Sequence, residues 1–186
     1  MIRYLIKTKL MAVKGNRNTK TPKITTAEME VSISKYFGIR THIIVPNLSW
    51  GFFNHECDLF LIRKSGYGFE VEIKRSKSDL LVDFKKRHNH IDRQNRIVQL
   101  YYAIPQELLK SCEEHIPEQF GILVVEKYES LGKYYDSTRI YREAKRKTGA
   151  KRLTEKEQLK IARLGCMRIW TLKEKLNLLK RKNGKR

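Results

Sequence analysis

Alternating helix-like and strand-like stretches predict a single α/β domain built on a mixed central sheet flanked by helices. Three patterns carry that expectation. Asp58–Arg63 (DLFLIR) and Gln119–Lys127 (QFGILVVEK) are short, nearly continuous apolar runs of the kind buried on both faces of a sheet. Gly68–Arg75 (GFEVEIKR) alternates apolar and charged residues with period two. Met29, Ile33 and Phe37 recur every fourth residue, as on the buried stripe of a helix. The chain has 186 residues, about one domain's worth. At 40% hydrophobic and 32% charged it is too apolar for a disordered polymer and too charged for a membrane protein. No apolar run nears the roughly 18 residues that span a bilayer.

The elements follow in order. A helix starts at Thr25 or Thr26, either able to cap it, and ends at Gly38. Thr41–Leu48 is β-rich and broken by Pro46. The strand DLFLIR comes next, and Ser65–Gly66 turns the chain into GFEVEIKR. Asp79 to about His90 reads as a helix with a basic outer face. Arg96–Pro105 is a strand stopped by its proline, and Pro105–His115 a helix with proline in its first turn. After the strand QFGILVVEK, residues 139–163 read as basic helix or linker, and Arg168–Lys182 as a last helix.

Charge is distributed unevenly along this order. Residues 1–23 carry seven basic and no acidic side chains, and residues 139–186 carry 18 basic and 4 acidic, a net of +14. The stretch 24–138 has 15 basic and 16 acidic residues, so it is close to neutral. The expected organisation is a basic flexible arm over 1–23, an α/β domain over 24–138 and a basic helical extension over 139–186. Cationic ends on a neutral body suit a polyanion, and nucleic acid is the expected partner, with no membrane. Three cysteines (Cys57, Cys112 and Cys166) form no disulfide framework. Free thiols and a basic N-terminus with no cleavage pattern point to an intracellular, cytoplasmic protein.

The chemistry concentrates in Glu70-Val71-Glu72-Ile73-Lys74. In a strand, residues i and i+2 share a face, so Val71 and Ile73 point into the core while Glu70, Glu72 and Lys74 line the other side. Same-face neighbours lie about 6.6 Å apart, close enough for two carboxylates to repel. Lys74, a bound cation or solvent must compensate. Antiparallel pairing about the Arg63–Gly68 turn would bring Asp58 near Glu72 or Lys74. Asp, Glu and Lys would then converge where hard oxygen ligands could hold one Mg²⁺ beside an ammonium.

Asp58, then Glu72-Ile73-Lys74 after a turn, preceded by a helix bearing Glu28, resembles the PD-(D/E)xK nuclease superfamily. The order helix, three strands, helix, strand over residues 25–104 is similar to that family's restriction-endonuclease-like αβββαβ core. The resemblance implies that Asp58, Glu72 and the Ile73 carbonyl bind Mg²⁺ or Mn²⁺, and that Lys74 positions the attacking water. Ala27–Val31 resembles the first-helix motif of archaeal Holliday-junction resolvases, which implies Glu28 as a further catalytic and metal-binding carboxylate. Glu30 is the alternative, on the side of the helix near Ile33 and Phe37. Cys57 stands where the family's proline would be.

Around this set, Lys77, Lys85, Lys86 and Arg87 are expected to flank a bound DNA backbone. His55, Glu70 and Gln99 are accessory candidates: His55 at the mouth, Glu70 on the site face, Gln99 on the next strand. The tripeptide His88-Asn89-His90 is a helix end rather than an HNH nuclease site, whose residues are dispersed over a ββα unit. Cys112 and His115 alone do not make a zinc site. The expected function is a metal-dependent DNA endonuclease of repair or recombination type, with two copies needed to cut both strands. The alternative is a non-catalytic nucleic-acid-binding module on the same fold.

Overall fold

The computed structural model describes residues 22–49, 56–85 and 96–183. Helix α1 (Thr26–Phe37) is followed by strands β1 (Ile43–Leu48), β2 (Cys57–Ile62) and β3 (Gly68–Ile73), helix α2 (Lys77–Lys85) and strand β4 (Ile97–Pro105). Short helical turns over 106–115, with α3 at Leu109–Cys112, lead to β5 (Gly121–Ser130), β6 (Lys133–Arg142) and the long α4 (Glu155–Asn183). The six strands form one mixed sheet in sequence order. β1, β2 and β3 are mutually antiparallel, β3, β4 and β5 run parallel, and β6 returns antiparallel to β5.

Helix α1 begins where Thr25 and Glu28 close a capping box. The Thr25 hydroxyl accepts the Glu28 amide at 3.2 Å, and Glu28 Oε2 accepts the Thr25 amide at 2.7 Å. It ends at Gly38, whose φ of 88° lies in the left-handed region open to glycine. Its Met29 and Ile33 are buried against Leu59, Leu61, Phe69 and Val71 on one face of the sheet. The opposite face carries two apolar clusters. One joins Leu80 of α2 to Leu100, Tyr102 and Ile122. The other joins Val45, Phe60 and Ile62 to Leu153 and Ile161, where α4 begins.

Several local expectations change. Pro46 does not break β1, because β1 is an edge strand and a missing N–H on its outer side leaves no sheet bond unmade. The first basic stretch after 138 is strand rather than helix: β6 continues to Arg142, across the 138/139 boundary, zipped to β5 by a tight turn at Leu131–Gly132. The proline-led helix over 105–115 is a chain of short turns, and the last helix starts at Glu155, well before Arg168. There Thr154 and Glu157 form a second capping box. Among the described residues no helix is long and apolar enough to cross a membrane.

β5 enters the sheet at Gly121 because nothing larger fits. A Cβ there would overlap the Tyr101 ring and lie 2.8 Å from the Ala144 amide nitrogen. Gly121→Ala is expected to lower stability by about 1–3 kcal/mol through overpacking, read as the shift of a urea unfolding midpoint. An unchanged midpoint would mean that the 143–145 segment yields freely.

Candidate active site

β3 is buried along its whole length, and its two faces differ in kind. Phe69, Val71 and Ile73 enter the α1-side core. Glu70, Glu72 and Lys74 form a polar row on the other face, and none is more than 5% exposed. The register explains where this row lies. Glu70 is flanked by Phe60 on β2 and Leu100 on β4, so it runs between the two apolar clusters. Lys74 continues the strand by one residue, its backbone N–H donating a hydrogen bond to the Ala103 carbonyl at 2.9 Å.

The β2–β3 ladder runs as far as Leu59↔Val71. The turn bond from the Arg63 amide to the Tyr67 carbonyl fixes odd-numbered residues as the hydrogen-bonded pairs. The next such pair would join the Ile73 amide to the Cys57 carbonyl. Asp58 Oδ2 accepts the Ile73 amide instead, at 2.7 Å. On the neighbouring strand Asn47 adopts φ 50°, left-handed, and Cys57 turns into the α4-side cluster. A side chain thus replaces a backbone acceptor at the end of the ladder, which fixes the Asp58 carboxylate beside the Glu72–Lys74 segment.

Lys74 Nζ donates to Glu72 Oε2 at 3.0 Å and forms an ion pair with Asp83 Oδ1 at 3.1 Å. The other oxygen of Asp83 accepts the Tyr102 hydroxyl at 3.1 Å. Burial alone would depress the Lys74 ammonium, but Glu72 and Asp83 more than offset it and hold its pKa above the usual value. Glu72 is pushed up to about 9, first by burial and then by the charge of Glu70, to which it is hydrogen-bonded. Asp58 is also raised, by burial, against the lowering effect of the Ile73 amide and Lys74. The two glutamates thus crowd negative charge on one buried face, a charge that a cation could offset.

The first-helix carboxylates separate clearly. Glu28 is engaged in the capping box and in an ion pair with Lys127 Nζ at 2.6 Å, and these contacts lower its pKa to about 2. Glu30 is half-buried and raised, by burial and then by the charge of Asp58. Glu30 is therefore the α1 carboxylate that senses the site, and Glu28 serves the helix end and β5. The Thr-x-x-Glu spacing of Thr25 and Glu28 carries this role in the sequence.

The other expected residues divide. Lys77 and Lys85 bracket α2, immediately after the site strand. His55, Lys86 and Arg87 lie outside the described residues. Gln99 pairs with Phe69, at the far end of β3 and on the α1 side, and bonds the Ala144 carbonyl at 2.7 Å and Arg63 at 3.1 Å. It is a packing residue there, because its strand position faces away from Glu72. Glu70 meets Glu72 on the site face. Asp83 was not anticipated. Its signal was an acid in the buried stripe of α2 beside Leu80 and Phe84, where only an opposing cation makes it tolerable.

Among the described residues no three His, Cys, Asp or Glu side chains converge closely enough to hold a metal ion. The donor chemistry nevertheless fits a hard divalent cation. Mg²⁺ commonly takes only one or two carboxylates and keeps several waters, and Asp58 and Glu72 supply two. The Glu72 carboxyl, raised by burial and by the charge of Glu70, marks a place short of positive charge.

What fold and site define is an α/β protein with a six-stranded mixed sheet and a buried acid–lysine row on its third strand. No protein-family model and no curated protein matches the sequence. A solved protein of unknown function from Silicibacter pomeroyi superposes with a TM-score of 0.54, over 86% of this chain and 93% of that one, at 12% identity. That similarity speaks to the fold alone.

The Glu72 proton gives the site a pH signature. Its carboxyl titrates near 4.5 when unfolded and about 9 when folded, so the folded chain binds more protons in between. Stability is full below the lower value and falls as pH rises through the interval. Urea unfolding at pH 5.5, 7 and 8.5 should show that decline in the wild type and a shallower one in Glu72→Gln. Equal slopes would place the proton elsewhere.

Proposed function

We propose that the chain is a Mg²⁺- or Mn²⁺-dependent endonuclease that hydrolyses phosphodiester bonds in DNA. The observation that carries this reading is the Asp58 carboxylate fixed on the Ile73 amide, one strand away from Glu72 and Lys74. The element order from α1 to β4 and the placement of that triad support a restriction-endonuclease-like core. Residues 139–186 supply the charge expected of a basic extension, 18 basic residues against 4 acidic.

In this reading Asp58 and Glu72, with the Ile73 carbonyl, hold the metal, and Glu30 adds negative charge behind Asp58. Bound there, the metal would polarise a phosphoryl oxygen and lower the pKa of its water. Lys74 orients the attacking water and presents positive charge to the phosphate. Asp83 holds the Lys74 ammonium from the α2 side, and Tyr102 holds Asp83. Lys77 and Lys85 contact the DNA backbone on either side of the scissile bond. A second reading, a DNA-binding module without turnover, is favoured by Lys74 lying locked between two carboxylates and by the lack of a three-ligand cluster among the described residues.

Cleavage of supercoiled plasmid separates the two. Wild type with Mg²⁺ or Mn²⁺ should nick or linearise the plasmid, and EDTA should stop it. Asp58→Ala and Lys74→Ala should each slow cleavage by at least about 100-fold while retaining DNA binding. Glu30→Gln should slow it measurably, whereas Glu28→Gln should leave the rate nearly unchanged. Retarded but uncut plasmid under every condition, with branched and single-stranded substrates also intact, would favour the binding module.

A further inference from the structure

Helix α4 has two halves with different surroundings. The first is docked on β1: Ile161 is buried with Val45 and Phe60, Gly165 lies against Val45, and Arg168 Nη2 donates to the Asn47 carbonyl at 2.6 Å. From Ile169 to Asn183 every residue is exposed, so this half runs past the sheet. Four of its apolar residues are nonetheless ordered on one line, with Trp170 and Leu178 lying off it. Ile169, Leu172, Leu176 and Leu179 follow one another at spacings of three, four and three, and each is 47–58% exposed. At about 100° per residue they fall within an arc of about 80°, the narrow seam of a coiled coil.

The residues flanking that seam are Arg168 and Lys175 and Lys182 on one side, Lys173 and Lys180 on the other. All five are basic, and Glu174 is the only acid between Ile169 and Asn183. The seam continues toward the sheet as well. Ile169 and Leu172 line an open groove of about 420 Å³ whose other wall is Ile39, Ile44 and Pro46, beside the free edge of β1.

We propose that the outer half of α4, with this groove, docks an amphipathic helix of a partner protein that carries carboxylates on both sides of its apolar seam. The flanking charges select the occupant. Two copies of α4 would set Lys against Lys in parallel or antiparallel pairing, which disfavours a self-dimer through this face. A membrane surface calls for a wider apolar face, and Trp170 sits off the seam with Lys173 Nζ 4.8 Å from its ring centroid. Duplex DNA would meet hydrocarbon at the centre of the basic strip. A helix with glutamates at the flanking positions satisfies the leucines and the lysines together. The surface is separate from the acid–lysine row and does not depend on the nuclease reading.

The test uses the full chain and a labelled synthetic helix of three heptads, with Leu at the seam and Glu at the flanks. The controls are a peptide of the same composition with the seam scrambled and one with Lys at the flanks. Fluorescence anisotropy should show the Glu-flanked helix binding at least about tenfold tighter than the scrambled one. Leu172→Gln with Leu176→Gln should erase that margin, and an unchanged urea midpoint would show that this outer half does not support the fold. Equal binding of the scrambled peptide would reduce the effect to bulk charge and overturn the proposal. So would tight binding of the Lys-flanked peptide, or a dimer in sedimentation that the double variant dissolves. Loss of binding to phosphatidylserine vesicles or to a 30-base-pair duplex in the double variant would reassign the seam to lipid or DNA.

Discussion

The ammonium of Lys74 is the charge on which the interior depends. It is in direct contact with Glu72 and Asp83, both nearly inaccessible to solvent, and through Asp83 it reaches Tyr102 and the floor beneath α2. Removing it would take a bonded positive charge away from two carboxyl groups in a region of low dielectric, a change that costs stability. The position of α2 follows from this pair as much as from apolar contact. Leu80 packs the helix onto β4, but Asp83 sets its rotation by aiming at a fixed point on the end of β3.

A second constraint makes that point fixed. β2 and β3 pair only as far as Leu59 and Val71, and beyond this the chain of β2 diverges. The Ile73 amide would lose its acceptor at the site's edge, and Asp58 supplies one. A backbone requirement is therefore met by a side chain that also contributes a negative charge. One consequence is that Asp58 cannot be treated as a purely chemical residue. Replacing it with asparagine keeps an oxygen for the amide and alters the charge, whereas alanine removes both.

How much of this was readable depends on where the signal lies. The alternation of residues 68–75 gave away both faces of β3, and the charged face was already improbable for a strand. The turn at Ser65–Gly66 then placed Asp58 close to Glu72. These are local patterns, and local patterns survive in a sequence read by itself. Asp83 did not, because its role depends on a contact across the sheet face from another element. The contacts that occupy Glu28 come from a capping box, legible as Thr-x-x-Glu, and from Lys127 on a strand almost a hundred residues away, which no local pattern announces. β6 was hidden for a related reason. Its outer half faces solvent on both sides of the ribbon, so it has no hydrophobic alternation to announce it.

The row on β3 also bears on whether its residues are there for stability. A strand at the centre of a sheet, between two apolar clusters, would be most stable with Val or Leu at positions 70 and 72, since well-packed apolar side chains often equal or exceed a buried ion pair. Here the chain keeps two glutamates side by side, at the cost of a Glu72 carboxyl raised by burial and by the charge of Glu70. Apolar packing is complete on the α1 side of the same strand, so the sequence is capable of it. A fold that tolerates such a row on one face only, with an aspartate anchored at the end of the ladder beside it, is carrying an electrostatic arrangement that packing does not require. That asymmetry is the physical ground for looking at this end of the sheet for chemistry, whichever substrate is found there.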